Sequence, residues 1–390
     1  MHKCIFMKNK TFLIVFCSIV FSLTFISSGL FAGTYAIEYS ETDSALVSAD
    51  GPYVLYLEDG STRVITVDGH GTLRDTTYQV LPENFSLSVT SSNGDYHFQV
   101  PLHPIKRPLW RCKQSNKIFV TSDPHGDLDC FVSLLQGNGI IDENLRWIYG
   151  TNHLMIIGDV FDRGDDVLPV FWLIYKLEEE AAQMGGRVSF LLGNHEPMVL
   201  ANDLRYCTPK YHTLAERLSI PYSQLFGNNT ELGRWLAARN TIQIIGKNLY
   251  VHAGLSEEFY EWNLSIPTVN KEISRALFMG KKERKDLSEL TAFLYGNSGP
   301  IWYRGMVRDA TKYNPISFDK LKKILKRYHV KRIIVGHTIF EDVSTFHDER
   351  VIDVNVNNSK NRDNGLGRGL LIEGDKYMKV GDCGIQRVLW

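Results

Sequence analysis

The sequence predicts a mixed α/β (α+β) protein with a small all-β region ahead of its main core. From about residue 39 to residue 100, apolar and polar residues alternate with no helical period, as in antiparallel strands. From Lys117 onward, short apolar runs each end in a polar or glycine-rich turn, and helix-like stretches follow them. Polar residues of similar types then recur at the ends of five apolar runs. Strand ends are where α/β cores gather functional groups.

Composition excludes some classes of protein. The 390 residues contain 43 Lys and Arg against 44 Asp and Glu, which gives a formal net charge of −1. The basic residues are spread along the chain and form no stripe suited to nucleic acid, so we expect no nucleic-acid partner. A chain of this length can bury a sizeable core. We therefore expect a folded enzyme or binding module.

Residues 1–36 have the pattern of an export signal. Lys3, Lys8 and Lys10 form a basic start, and residues 11–32 carry no charge. Small residues at Ala32 and Ala36 offer cleavage sites, so we interpret 1–36 as a signal peptide. The apolar stretch is also just long enough to serve as a membrane anchor. In either case the remainder is expected to be exported, to a periplasm or to the exterior, and to contact a membrane only if the segment stays uncleaved.

Export would decide whether the cysteines are in a compartment that allows disulfide bonds. An exported chain would retain four of the six, and four cysteines in an oxidising compartment allow three disulfide pairings. Four free or buried thiols are equally compatible with the sequence, because a domain of this size needs no covalent staples. The four are Cys112, Cys130, Cys207 and Cys383.

We predict a small antiparallel β domain at residues 37–100. Asp-Gly and Asn-Gly pairs punctuate it, and such pairs are the strongest short-range signal for hairpin turns. Three prolines interrupt residues 101–116, which we interpret as a linker or a crossing strand. The pairs are Asp50-Gly51, Asp59-Gly60, Asp68-Gly69 and Asn93-Gly94.

Residues 117–390 are predicted to form the α/β core. Its strands correspond to KIFVTSD, HLMIIGD, RVSFLLGN, LYVHAG, RIIVGHT and GLLIEG, and its most evident helix to DDVLPVFWLIYKLEEEAAQM. A mostly helical insertion is expected between Glu196 and Lys247. The run KKERKDLSEL at residues 281–290 is typical of a solvated helical face.

Carboxylates, imidazoles and an amide follow five of these strands. Because the strand ends of one sheet lie side by side, we expect these groups to converge on one site. Mixed His, Asp and Asn ligands suit divalent ions such as Mn, Fe or Zn, whereas softer sites use Cys. The five segments are Ser122–Asp127, Gly158–Gly164, Gly193–Glu196, Val251–Gly254 and Gly336–Thr338.

The motifs DPHGD, GDVFDRG, GNHE, HAG and GH resemble the signature blocks of the calcineurin-like metallophosphoesterases, in the phosphoprotein phosphatase branch. DLRY at residues 203–206, GPIWYRG at residues 299–305 and the β region ahead of the core resemble the Shewanella-like phosphatases. That group is associated with phosphotyrosine rather than phosphoserine or phosphothreonine. The resemblance implies a metallophosphoesterase-type β-sandwich core flanked by helices.

The resemblance also implies a site with two metal ions, Mn, Fe or Zn, and Asp159 as the bridging ligand. A hydroxide shared by the ions would attack phosphorus in line. The first ion would be held by Asp123, His125 and Asp159, and the second by Asp159, Asn194, His252 and His337.

Four further residues have roles implied by the resemblance. His195 would donate a proton to the leaving oxygen, and Asp162 would hold its imidazole. Arg163 and Arg304 would clamp the phosphate. The chain departs from many relatives in Ser122 and in Ala253, where they have glycine, but every proposed metal ligand is present.

Three functions follow from these observations. The first is a dinuclear-metal phosphomonoesterase acting on phosphoproteins, on phosphotyrosine in particular. The second is a dinucleoside polyphosphate or nucleotide phosphohydrolase, because such enzymes share these motifs. The third is a non-catalytic binding protein whose β domain binds a partner while the metal core serves as scaffold, an interpretation that the intact ligand set disfavours.

Overall fold

The computed structural model describes residues 34–39 and 47–390 of the chain. The predicted signal peptide or membrane anchor lies outside the described residues, except for residues 34–36 at the start of a strand. The export predicted from it stays a prediction. Within the described part of the chain, no helix is long and apolar enough to span a membrane.

The described strands form two six-stranded sheets, a four-stranded sheet and a two-stranded hairpin. The strands are β1 Thr34–Tyr39, β2 Asp50–Tyr56, β3 Thr62–Val67, β4 Leu73–Tyr78, β5 Ser86–Thr90, β6 His97–Pro101, β7 Arg111–Cys112, β8 Lys117–Thr121, β9 His153–Ile156, β10 Arg187–Phe190, β11 Ile242–Ile245, β12 Asn248–Val251, β13 Arg332–Val335, β14 Ser344–Phe346, β15 Val351–Asp353, β16 Gly369–Glu373, β17 Lys376–Gly381 and β18 Gly384–Val388. The first six-stranded sheet has the order β10-β9-β8-β16-β17-β18, and the second has the order β14-β15-β13-β12-β11-β7.

Helices flank the two large sheets, with α2 (Val167–Gln183) against β10 and α7 (Ile266–Arg275) against β11. Short 3-10 helices also occur at Tyr222–Phe226 and Thr311–Tyr313. The α-helices are α1 Leu128–Gly137, α2 Val167–Gln183, α3 His195–Leu200, α4 Pro209–Leu218, α5 Glu231–Ala237, α6 Glu257–Glu261, α7 Ile266–Arg275, α8 Lys281–Leu287, α9 Glu289–Leu294, α10 Phe318–Tyr328 and α11 Asn358–Asp363.

The two six-stranded sheets pack face to face. Alternate residues of each strand point to opposite faces. Ile118 and Val120 of β8 accordingly pack with Tyr250 and Ile334 of the second sheet in one buried cluster. Phe119, between them in sequence, joins the other cluster, which contains the flanking helices. The predicted mixed α/β sandwich with flanking helices is therefore confirmed.

Three of the four predicted turns connect paired strands. Asp59-Gly60, Asp68-Gly69 and Asn93-Gly94 lie between β2 and β3, β3 and β4, and β5 and β6. The predicted turn at Asp50-Gly51 is wrong, because this pair lies within β2, where the register with β3 is irregular. The Asp50 carboxylate is buried, accepts from the Tyr53 hydroxyl at 2.5 Å and lies 3.1 Å from the Lys210 ammonium, so it serves packing rather than chain reversal.

The N-terminal strands share a hydrophobic core with helix α2. Val54, Ile65 and Val89 belong to the same buried cluster as Trp172 of α2. The Trp172 indole N–H donates to the carbonyl of Pro52 at 3.0 Å. Residues 101–116 contain β7, which pairs with β11 at the edge of the second sheet. The β region therefore forms a layer over α2.

The cysteines within the described residues are free thiols. Of the two arrangements open from the sequence, the structure has the one without disulfides. They are Cys112, Cys130, Cys207 and Cys383.

The shared core predicts cooperative unfolding. Trp172 is fully buried, and replacing a buried Trp with Ala typically costs about 3–5 kcal/mol. We expect Trp172→Ala to lower the melting temperature of the β region and the core together, as one transition in scanning calorimetry. Trp110→Ala, at a partly exposed tryptophan, is the control and should change little. Two separate transitions in the wild-type protein would contradict the shared core.

Candidate metal centre

The motif-bearing loops converge from two sheets rather than one. Strands β8, β9 and β10 belong to the first six-stranded sheet, whereas β12 and β13 belong to the second. The prediction that all five strand ends belong to one sheet is therefore wrong. Apolar periodicity identifies a buried strand but does not say which sheet it joins. The convergence itself is confirmed, because the strand ends of both sheets meet at one edge of the sandwich.

The loops hold several of the predicted functional residues in the left-handed backbone region. Non-glycine residues seldom adopt positive φ, although Asp and His tolerate it better than most. Such conformations cost about 1–3 kcal/mol each and cluster at functional sites, where the surroundings enforce them. The residues are Asp123 (φ 52°), His125 (44°), Asp159 (58°), Asp162 (72°), Arg163 (71°) and His337 (66°).

Two glycines allow carboxylates to lie directly against the backbone. A Cβ on Gly193 would sit 2.1 Å from Oδ1 of Asp159. A Cβ on Gly336 would sit 2.7 Å from Oδ2 of Asp123. Any side chain at these positions would therefore displace a predicted metal ligand. The glycines that precede Asn194 and His337 in the motifs are explained by this close approach.

The first predicted set of ligands is brought together. One ligand atom each from His125, Asp159 and His195 lies within 4.8 Å of the others. Asp123 belongs to the same group, because its Oδ1 lies 3.9 Å from Nε2 of His125. Asp123 also accepts from the backbone N–H of His337 at 3.1 Å, which joins this group to the second sheet.

The second predicted set shares one carboxylate with the first. Ligand atoms of Asp159, His252 and His337 lie within 4.8 Å of one another. Nε2 of His252 is 3.1 Å from Oδ2 of Asp159 and 3.1 Å from Oδ1 of Asn194. Asp159 therefore lies between the two groups, the position expected of a ligand that bridges two ions.

The imidazoles are oriented with one nitrogen toward the shared carboxylate. Nδ1 of His125 donates to the carbonyl of Phe161 at 2.8 Å, and Nδ1 of His252 donates to that of Ile157 at 2.7 Å. Since a carbonyl only accepts, each Nδ1 carries a hydrogen, and Nε2 is the nitrogen left to bind an ion. Nε2 of His337 is buried and has no hydrogen-bond partner among residues 34–39 and 47–390. A buried, unpaired nitrogen of this kind is the donor that a metal ion would occupy.

His195 is held by a second carboxylate at the edge of the site. Its Nδ1 lies 2.5 Å from Oδ2 of Asp162, and its Nε2 lies 3.9 Å from Oδ2 of Asp159. The thiol of Cys207 donates to Oδ1 of Asp162 at 3.0 Å. Both oxygens of Asp162 are thus engaged, which fixes the plane of the His195 ring. No motif indicated the role of Cys207.

The two predicted phosphate-binding arginines lie on opposite loops. One guanidinium nitrogen of Arg304 donates to the His337 carbonyl at 2.9 Å and to the Thr338 hydroxyl at 3.0 Å. Arg163 is exposed, and its guanidinium lies 5.8 Å from the centre of the Tyr206 ring. That ring is 47% exposed and lies 5.4 Å from the His195 ring, centre to centre.

Residues 116–340 match the family described as calcineurin-like phosphoesterase, and the match spans more than half of the chain. The chain belongs to this family. It is therefore a metallophosphoesterase, as its motifs predicted.

Two relatives resemble the chain over most of its length. The cold-active protein tyrosine phosphatase of a psychrophilic Shewanella species is 31% identical in a solved structure, with a TM-score of 0.77 over 88% of this chain and 99% of that one. Shewanella-like protein phosphatase 2 of Arabidopsis thaliana is 25% identical over 69% of this chain and 78% of its own length. A shorter match, 28% identical over 39% of this chain, is to the symmetrical bis(5'-nucleosyl)-tetraphosphatase of Buchnera aphidicola, of which it spans 48%.

The donor set of this metallophosphoesterase fits divalent ions. It combines carboxylates, imidazoles and one amide oxygen around the shared Asp159. Burial favours the neutral form of His125 and lowers its pKa to about 4, so its nitrogen is free to bind at neutral pH. Burial also holds the pKa of His337 well below its usual value.

His252 is the exception among the imidazoles. Burial opposes a charge on it, but the Asp159 and Asp123 carboxylates outweigh that effect and raise its pKa to about 9. Burial and Asp159 also raise the pKa of Asp123 to about 6, although His252 opposes that shift. Without an ion, the protonated His252 therefore balances part of the buried negative charge.

Glu196 is a buried residue of the site to which the sequence analysis assigned no role. It is fully buried, and its carboxylate accepts from the backbone N–H of Gly193 at 2.6 Å, of Asp159 at 3.1 Å and of Val160 at 2.9 Å. Burial and the nearby Asp159 raise its pKa to about 7, although the N–H groups stabilise the charged form. Glu196 therefore joins the loops after β9 and β10. Its position directly after Asn194-His195 was the available signal.

Metal binding should release the His252 proton at pH 7.5, in addition to any proton lost from bound water. Below the pKa of about 9, His252 is protonated in the metal-free chain, and an ion must displace that proton. Calorimetric titration of metal into chelator-treated protein should give heats that depend on the ionisation enthalpy of the buffer. The affinity should fall as the pH falls. His70→Gln, at an exposed histidine, should leave the proton count unchanged, whereas equal heats in all buffers would contradict the assignment.

Glu196→Gln should loosen the site. An amide has one acceptor oxygen, so its NH2 group would face a backbone N–H, and an unsatisfied buried donor costs about 1–3 kcal/mol. We expect a lower melting temperature and less metal retained after dialysis, measured by elemental analysis. Glu258→Gln, at an exposed glutamate, is the matched control. Full metal retention by Glu196→Gln would show that the three N–H bonds do not position Asp159.

Proposed function

We propose that this metallophosphoesterase is a dinuclear phosphomonoesterase that hydrolyses phosphotyrosine in proteins. The observation that carries the proposal is the position of the Asp159 carboxylate. Among the described residues, Asp159 is the one member common to the two groups of ligand atoms. Two ions bound there would activate a water molecule and neutralise charge on the phosphoryl oxygens.

The remaining polar residues then have distinct tasks. Arg163 and Arg304 bind phosphoryl oxygens from opposite loops, since a planar guanidinium matches two such oxygens. His195 donates a proton to the leaving oxygen. Although burial disfavours its charged form, the nearby Asp159 and the hydrogen bond to Asp162 raise the pKa of His195, which favours the protonated form that a general acid requires.

Tyr206 supports a preference for an aromatic phosphate ester. Its exposed ring lies beside His195 and is flanked by the guanidinium groups of Arg163 and Arg205, at 5.8 and 5.6 Å from the ring centre. A phenyl ring whose ester oxygen points at His195 can pack against this surface, because aromatic pairs favour centre distances of about 4.5–7 Å. A phosphoserine side chain has no ring with which to make this contact with Tyr206. The similarity to the Shewanella enzyme points the same way.

A dinucleoside polyphosphate hydrolase is the second candidate. It is supported by the match to the Buchnera tetraphosphatase, although that match spans about half of the tetraphosphatase. A non-catalytic binding protein is disfavoured by the complete ligand set and by the oriented His195.

Turnover of a substrate panel by the metal-loaded protein tests the proposal. Tyr206→Leu should raise KM for a phosphotyrosine peptide about three- to tenfold, the effect expected for loss of one aromatic pair worth about 0.5–1.5 kcal/mol. KM for a phosphoserine peptide should not change. Tyr206→Phe, which keeps the ring, is the matched control.

The second part of the test uses the variant Asp159→Asn. It removes the shared charge and should abolish turnover of a small aryl phosphate while the circular dichroism spectrum stays that of the wild type. Near-normal activity would refute the two-ion assignment. Faster turnover of a dinucleoside polyphosphate than of any phosphopeptide would favour the second candidate.

A further inference from the structure

A cavity of about 810 Å³ opens beside the metal centre. Asn194, a predicted ligand, and Trp302 line its inner end. The Trp302 ring meets the His337 ring edge-on, with 5.7 Å between ring centres. The cavity is therefore continuous with the site. Its volume lies in the range of whole ligand pockets and is far larger than a phosphoryl group requires.

One face of helix α8 lines the outer part of the cavity. Arg284 and Lys285 follow Lys281 by three and four positions, and residues at these spacings lie on the same side of a helix as the first. Arg284 is buried, and its guanidinium donates to the carbonyls of Ala276, Leu277 and Pro197, the last on helix α3. These bonds attach α8 to the helix that begins at His195. Arg284 thus uses its donors to hold helices together rather than to bind a ligand.

Lys281 and Lys285 are exposed and uncompensated. Neither ammonium has a carboxylate within ion-pair distance in the described part of the chain. By contrast, Lys282 pairs with Asp286 at 2.5 Å, and neither of these residues lines the cavity.

The cavity has one acidic lining residue, Asp203. Its carboxylate is already bound by two nitrogens of Arg205, each at 2.7 Å. The Asp203–Arg205 pair is therefore neutral overall. The unbalanced positive charges of the lining are those of Lys281, Lys285 and Arg284. Because carbonyls already bind the Arg284 guanidinium, the two lysines are the cations left to bind a ligand.

We infer that this cavity binds the polypeptide segment next to the phosphorylated residue and selects acidic side chains there. The inference rests on the proposed function, because it names the substrates of that same site. A chain whose phosphoryl group lies at the metal centre can extend past Asn194 into the cavity and reach Lys281 and Lys285.

The two lysines suit carboxylates better than a polyphosphate chain. Polyphosphate sites typically use bidentate guanidinium groups or glycine-rich loops at helix N-termini. Here the guanidinium of Arg284 donates to carbonyls and that of Arg205 to Asp203. Two exposed ammonium groups on flexible four-carbon side chains can meet carboxylates at different positions along a peptide.

The test compares phosphotyrosine peptides with acidic, neutral and basic flanking residues. For the wild-type protein at low salt, KM should be about three- to tenfold lower for the acidic peptide than for the neutral one, as expected for two solvent-exposed charge pairs. The preference should shrink as salt is added. The double variant Lys281→Ala/Lys285→Ala should abolish it. Lys282→Ala, which removes an equal charge from the same helix, should preserve it, and neither variant should change turnover of a small aryl phosphate.

Binding is measured in parallel with peptides that carry a non-hydrolysable phosphonate, so the outcome does not depend on turnover. Weaker binding of the acidic peptide to the double variant supports the inference, whether or not the wild-type protein turns over phosphotyrosine. If that binding result is found and the wild-type protein turns over no phosphotyrosine, the proposed function alone fails. Equal binding of acidic and neutral peptides, or a preference that survives in the double variant, overturns the inference. It is also overturned if the double variant loses affinity for a dinucleoside polyphosphate but not for the acidic peptide.

Discussion

The sandwich is organised around one constraint, which is that the negative charge buried at the metal centre must be balanced by positive charge. Asp159 is almost fully buried, and its carboxylate contacts groups from both large sheets: the backbone N–H of His195 from the first and the imidazole of His252 from the second. A buried carboxylate without compensation is costly. The loops after β10 and β12 therefore turn a backbone N–H and an imidazole toward this oxygen pair.

The same constraint explains the irregular backbone of the site. Gly193 and Gly336 let carboxylates approach the chain, and the loops accept positive φ at Asp and His residues in order to aim their side chains inward. Glu196 holds the loops after β9 and β10 through three backbone N–H groups. The strain is distributed over short loops, while the strands and helices beneath them remain regular and well packed.

The motifs predicted the site more completely than they predicted the fold around it. All six proposed ligands converge, because each motif joins a buried strand to a tight polar turn, and both features are local. The pairing of strands into two sheets depends on contacts between distant residues, so it could not be read from apolar periodicity. Asp50-Gly51 has the sequence of a turn, but burial of the Asp50 carboxylate beside Lys210 overrides that local preference. Cys207 and Glu196 act through contacts in space that no spacing indicates.

The origin of the ligands in two sheets has a consequence for how the protein matures. Asp123 and His337 are 214 positions apart, yet the backbone of one binds the carboxylate of the other. No early portion of the chain emerging from a ribosome contains both halves of the centre. A complete pair of ions can therefore be held only after both sheets have formed and closed against each other. Metal content thus gives a lower bound on how much of a preparation has reached its finished form.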